Sequence, residues 1–261
     1  MSGAYYNEID PLAAEAIRGL MAAGFIAEGE LDERSIEQVE PADLRGFTQC
    51  HFFAGIGVWS YALRRAGWPD DRSVWTGSCP CQPFSSAGMA RGFADERHLW
   101  PAFHHLISQC QPPVVFGEQV ASADGLTWLD LVSADLEGSA YAVGAADLCA
   151  AGVGAPHIRQ RLYWVGNASR TGLAQQRSDG TTSRKATPGE ARQAIERADA
   201  STPWGKLEWL QCTDGKARPT QPGIQPLAHG FSNRVGALRG AGNAIVPQAA
   251  AEVIAAFMER A

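Results

Sequence analysis

Apolar residues along this chain fall into two kinds of run, and the alternation of the two predicts the architecture. "AYYNEID", "TQCHFFAGIG", "RSVWTGS" and "PPVVFGEQV" are compact apolar runs closed by glycine or acidic residues, the pattern of buried strands. Between them lie runs with helical spacing. Asp10 is placed to cap a helix with Pro11 in its first turn; Leu12, Ala16, Ile17, Leu20 and Met21 supply its apolar face, and Gly24 stops it. "DERSIEQV" reads as a strand end leading to a turn. "VWSYALRRAGW", "HLWPAFHHLISQC" and residues 126–137 read as helices, and "YAVGAADLCAAGVGAPHIRQRLYWVGNA" as two strands joined by a loop. Strands alternating with helices predict an α/β sheet. From Ser169 the chain becomes rich in Ser, Thr, Gly and charge, which reads as a long loop or insertion. Order is expected to return at "WGKLEWLQC", and "AGNAIVPQAAAEVIAAFMER" reads as a turn and a closing apolar helix.

Length and composition narrow the class. A chain of 261 residues can bury a full core. No apolar run reaches the roughly eighteen residues of a membrane span, and no signal-peptide pattern opens the chain. Six scattered cysteines without framework spacing fit a reducing cytoplasm, and the lone Cys79/Cys81 pair has no matching pair to complete a zinc site, so no metal is expected. The net charge of -6 argues against nucleic acid until its distribution is read. Residues 157–240 carry 13 Lys and Arg against 6 Asp and Glu, whereas residues 1–156 carry 8 against 20. A basic segment on an acidic body suits phosphate contacts, and it equally suits a solvated face.

"SCPCQPFS" is the sharpest chemical signal. Pro80 and Pro83 stiffen a turn around Cys81 at the end of a strand, and a thiol held this way can act as a nucleophile. A lone cysteine of this kind is more often inert and buried. Its company changes that balance. "FAGIG", "PCQPFS", "GEQV", "HIRQR" and "GNAIVPQ" stand in this order between residues 52 and 248. Together they resemble the motifs of the DNA (cytosine-5)-methyltransferase family, over about three-quarters of the chain.

The resemblance implies a Rossmann-like sheet, dependence on S-adenosylmethionine, and a covalent route to C5 of a flipped cytosine in double-stranded DNA. It makes Cys81 the nucleophile at C6, Glu118 the acid at N3, Arg161 the partner of O2 and Arg159 a positive support. Phe53, Ala54, Gly55, Ile56 and Gly57 become the cofactor loop, with Pro80 and Asn243 beside it. Gln82, Ser85, Lys216, Arg218, Asn233 and Arg234 become DNA contacts. Each residue taken singly has a plainer reading: Glu118 as a capping carboxylate, Arg159 and Arg161 as a solvated edge, Asn243 as a turn residue. Four positions depart from the pattern. Val58 stands where a glycine usually follows, Gln119 replaces the asparagine of ENV, His157 replaces the glutamine of QxRxR, and Cys79 stands where proline or phenylalanine is common.

One gap raises a topological question. Between Gly57 and Gly77 there is room for one helix and one strand, yet the family carries two further strands there. One ends in the acid that grips the cofactor ribose, and the next reads the adenine. "YYNEID" and "DERSIEQV" at the N-terminus resemble those displaced pieces. On that reading Glu8 binds the ribose hydroxyls, Ile9 packs on the adenine, Asp32 or Ser35 meets its amine and Ile36 lines the ring. The expected fold is thus a locally permuted methyltransferase sheet with the glycine-loop strand between the ribose and PCQ strands. The competing reading makes the N-terminus a helical appendage. The expected organisation is a catalytic and cofactor-binding domain over 1–168, a small target-recognition region over 169–240 and a helix over 241–261 returning to the first domain. A monomer in a bacterial or phage-infected cytoplasm is expected. The rival functions are RNA cytosine-5 methylation and a catalytically silent member that binds DNA or cofactor.

Overall fold

A computed structural model describes residues 3–80, 99–155, 157–168, 208–211, 217–220 and 244–260. In chain order the elements are β1 (Gly3–Asn7), α1 (Pro11–Ala22), β2 (Gly29–Asp32), a 3-10 turn (Ile36–Gln38), β3 (Phe47–Phe52), α2 (Val58–Arg65) and β4 (Val74–Gly77). Then follow α3 (Trp100–Cys110), β5 (Val114–Val120), α4 (Ala123–Gly138), β6 (Ala142–Cys149), a 3-10 turn (Ala150–Val153), β7 (Gln160–Asn167), β8 (Glu208–Gln211), β9 (Ala217–Thr220) and α5 (Pro247–Met258).

Seven strands form one mixed sheet in the order β2-β1-β3-β4-β5-β7-β6. All neighbours are parallel except β7, which runs antiparallel to both β5 and β6. The N-terminal strand is therefore a sheet strand and not an appendage. Tyr6 pairs with His51 and Asn7 with Phe52, which puts the glycine-loop strand β3 between β1 and β4. The short α2 then joins two sheet neighbours, so no further strand is needed between Gly57 and Gly77.

Side chains alternate across the strands, so Tyr5 and Tyr6 serve opposite faces. One face packs Tyr5, Phe52, Trp75, Phe103, Trp100, Trp128 and Trp164 under α3 and α4. On the other, Trp59, Leu63, Trp68, Phe116, Tyr163 and Ile254 pack with α2 and α5, while Tyr6, Ile17 and Ile26 form a smaller cluster with α1. Asp10 caps α1 as its sequence predicts, accepting from the Leu12 and Ala13 N–H groups. Most of the expected apolar face of α1 is used: Ile17 is buried, and Leu20 and Met21 pack against its cluster. Ala13 and Ala14 join the buried stripe, and Leu12 falls outside it at 43% exposure. A Cβ on Gly57, at φ 78, would stand 3.0 Å from the Ile26 side chain and 3.6 Å from Ile17.

A polar chain crosses the sheet interior. The Gln49 amide nitrogen donates to the Pro69 carbonyl, which turns its oxygen toward His51 Nε2 at 3.3 Å. Nε2 therefore carries the proton, and Nδ1 accepts from the Thr76 hydroxyl at 2.8 Å. Tyr6 stacks on the imidazole at 4.9 Å. Burial holds the ring neutral by pulling its pKa down to about 3. The unfolded chain takes up this proton near pH 6.5 and the folded one does not. His51 thus costs stability as pH falls below about 6.5, at about 1.4 kcal/mol per pH unit until its folded pKa is reached. Denaturant titrations between pH 6.5 and 5 should show that slope shrinking by this amount in His51→Gln. An unchanged slope would mean that His51 is protonated in the folded chain.

Candidate active site

Three parallel strands end together, and their ends are laced. The Glu8 N–H donates to the Asp32 carbonyl and the Ala54 N–H to the Asn7 carbonyl. The Asn7 amide donates to the Asp32 and Arg34 carbonyls. Across this join the Glu8 carboxylate accepts from the Gly55 N–H at 2.6 Å and from the Asp10 N–H at 2.9 Å. Burial raises its pKa, opposed by these two backbone donors. The carboxyl ends of parallel strands are where open α/β sheets bind ligands.

The loop after β3 is built from left-handed residues: Phe53 at φ 50, Gly55 at φ 56 and Gly57 at φ 78. Among the described residues, a Cβ on Gly55 would meet nothing within 4 Å. Ile9 is 65% exposed beside it. Phe53 is half-buried against the edge of Phe103, Ile56 is half-buried, and Ala54 is buried. An acid held by a loop N–H, with the exposed Ile9 beside it, suits a ribose diol attached to a flat ring. Val58 packs at the start of α2 against the core beneath this loop.

Asp32 is engaged otherwise than the sequence suggests. Its carboxylate accepts from the Tyr5 hydroxyl at 2.6 Å, from the Arg34 N–H and from the Arg34 guanidinium. Burial alone would raise its pKa, but the Arg34 and Tyr5 hydrogen bonds outweigh it and hold the group at about 2. Both oxygens are thus committed to the fold. Ser35 caps the 3-10 turn that follows, and Ile36 lies in the core at 3% exposure.

The second half of the site forms where β4, β5 and β7 meet. Glu118 pairs in register with Tyr163, and Val120 with Arg161, so Glu118 and Arg161 share one sheet face, and the Arg159 charge acts on Glu118 from just before β7. Arg161 Nε lies 2.7 Å from Glu118 Oε1, with both side chains largely buried. Burial raises the Glu118 pKa despite the opposing Arg161 charge and a Ser78 hydrogen bond. Burial lowers that of Arg159, helped by the Arg161 charge. Gln119, the replacement for asparagine, donates to the Cys79 carbonyl at 3.3 Å and ties β5 to the turn before Cys81. Cys79 is buried, Pro80 is exposed and His157 is exposed.

Cys81, Gln82, Ser85, Lys216, Asn233, Arg234 and Asn243 lie outside the described residues. Arg218 lies in β9, opposite Leu210 in a two-stranded antiparallel pair. Sequence reasoning missed Ser78 and Trp59. The Trp59 Nε1–H donates to Ser78 Oγ at 3.0 Å, and the hint available in sequence was a hydroxyl directly after the β4 run.

The sequence pattern of the C-5 cytosine-specific DNA methylases matches residues 67–203, more than half of the chain. This chain belongs to that family. The match begins past Gly57, so it rests on the segment that holds Pro80, Cys81, Glu118, Arg159 and Arg161. The type II methyltransferase M.NlaX of Neisseria lactamica is 33% identical over 100 residues, covering 37% of this chain and 32% of its own length. M.HhaI of Haemophilus parahaemolyticus is 32% identical over 99 residues, 36% of this chain and 30% of its own. The chain thus spans about a third of the length of these curated relatives. A crystal structure of a Spodoptera frugiperda DNMT2 triple mutant superposes with TM-score 0.45 and 18% identity, over 67% of this chain and 45% of that one.

Proposed function

We propose that this chain methylates C5 of cytosine in double-stranded DNA, using S-adenosylmethionine and a covalent bond from Cys81 to C6 of a flipped-out base. The observation that carries this reading is the buried Glu118–Arg161 pair, 2.7 Å apart, beside the strand end that leads into Pro80 and Cys81.

C5 of cytosine is a poor nucleophile. The Cys81 thiolate adds to C6, and the displaced electron pair makes C5 enamine-like. Glu118, buried enough to hold a proton more readily than an exposed carboxylate, donates to N3 as charge builds there and takes the proton back when the ring regains its aromaticity. Arg161 hydrogen-bonds O2, and Arg159 adds positive charge behind it. S-adenosylmethionine supplies the electrophilic methyl group that C5 takes up. Loss of the C5 proton to solvent then breaks the Sγ–C6 bond and restores the thiolate.

Glu8, Ile9, Phe53, Ala54, Gly55, Ile56 and Gly57 would hold the cofactor, with Pro80 and Asn243 beside its methionine end. Asp32 or Ser35 would meet the adenine amine, though the Asp32 carboxylate is engaged by Tyr5 and Arg34 and the Ser35 hydroxyl by Glu37; Ile36 would line the ring. Gln82, Ser85, Lys216, Arg218, Asn233 and Arg234 would face DNA from a small recognition region over 169–240, between a catalytic body over 1–168 and a closing segment over 241–261.

Two measurements test this. Incubation with methyl-labelled cofactor should place label on cytosine C5 of duplex DNA and not on tRNA. Label on tRNA alone would favour the RNA reading, and cofactor binding without transfer would favour a silent member. Glu8→Ala should weaken cofactor binding by about 1.5–3 kcal/mol, the scale of charge-assisted hydrogen bonds. Unchanged affinity by calorimetry would remove Glu8 as the ribose ligand.

A further inference from the structure

We propose that Ser78 is a positioning residue for Glu118, itself held in place by Trp59; this rests on the reading of Glu118 as the acid at N3. Gly77 at the end of β4 pairs with Gly117 in β5, so the next residues on the two strands, Ser78 and Glu118, are neighbours at the mouth of the site. The Trp59 Nε1–H occupies a lone pair of Ser78 Oγ at 3.0 Å. That leaves the single hydroxyl hydrogen to be donated, and it goes to the Glu118 carboxylate. Arg161 grips the same carboxylate at 2.7 Å. The group thus lies between a hydroxyl donor and a guanidinium, which together fix its orientation.

Trp59 is a firm anchor for this arrangement. It is 3% exposed, stacks beside Phe116 at 6.2 Å and meets Tyr163 edge-on at 6.1 Å. Phe116 and Tyr163 belong to the strands that carry Glu118 and Arg161. Trp59 also lies two residues past Gly57, on the helix that the cofactor loop opens. One indole therefore braces the glycine loop and the acid together. The plainer account makes Ser78 only an acceptor that satisfies a buried indole N–H.

Titration of the Glu118 carboxyl by carbon NMR separates the two accounts, with the signal assigned by its loss in Glu118→Gln. In Ser78→Ala a donor to the charged form is gone, so Glu118 should titrate at higher pH than in the wild type. Trp59→Phe keeps the hydroxyl but releases it, and should move the titration the same way by less. In the transfer assay Ser78→Ala should lower kcat about tenfold, the scale of one hydrogen bond, with KM for S-adenosylmethionine within about twofold of the wild type. A Glu118 titration identical in wild type and Ser78→Ala overturns the proposal, as does an unchanged kcat. If the wild type transfers no methyl group, the functional reading fails, and the titration alone decides the role of Ser78.

Discussion

A chain lacking residues 1–40 is expected to aggregate or fail to fold. The deleted segment holds β1 and β2, and β1 pairs with β3 from Ala4–Gln49 to Asn7–Phe52. Removing it exposes the hydrogen-bonding edge of β3, which lies inside the sheet in the intact chain. It also removes Tyr5, Tyr6, Ile17, Ile26, Ile36 and Val39 from the core, all at most 5% exposed. Burial of each is worth about 1.5–3 kcal/mol, so together they rival the roughly 5–15 kcal/mol that holds an ordinary domain. His51 would lose the ring stacked on it, and the Gly55 N–H its carboxylate partner. A truncated protein that stays soluble, melts cooperatively and binds S-adenosylmethionine would show that the rest of the sheet stands alone.

Cys81→Ser is expected to abolish methyl transfer while leaving cofactor affinity near wild type. The alcohol is far less ionised than the thiol at neutral pH and adds poorly to C6, so the ring is never activated. The proposed cofactor contacts belong mainly to the ends of β1 and β3 and do not include the thiol. Calorimetry and label transfer on the same preparation separate the two effects. Clear residual turnover would rule out Cys81 as the nucleophile.

The sheet order was legible because one gap was too short. The nineteen residues between Gly57 and Gly77 admit α2 and β4 and nothing more, while "YYNEID" resembled a displaced ribose strand. Register then follows from alternation, since Tyr5 and Tyr6 must face opposite layers. The raised pKa of Glu118 was likewise foreseeable from an acid at the end of a buried strand. Other features depend on tertiary partners that no spacing encodes. Asp32 looked available until Arg34 and Tyr5 closed on it, one from the following bend and one from the neighbouring strand. Ser78 read only as the last residue of a strand run, with nothing in its spacing to show that Trp59 and Glu118 flank its hydroxyl. β9 was hidden by Pro219, which cannot donate to a ladder, so the run over 217–220 gives no strand signal.

The most direct measurement uses duplex DNA in which 5-fluorocytosine replaces the target cytosine. With fluorine at C5, the proton loss that releases the thiolate cannot occur, so the reaction halts with Cys81 bonded to C6 and the methyl group on C5. A long duplex with fluorocytosine throughout one strand presents the base in every sequence context. The account predicts a protein–DNA adduct that survives denaturation, forms only with S-adenosylmethionine present, and maps by mass spectrometry to the peptide containing Cys81. Wild-type protein that methylates ordinary DNA yet forms no such adduct, or forms it at another residue, would contradict it.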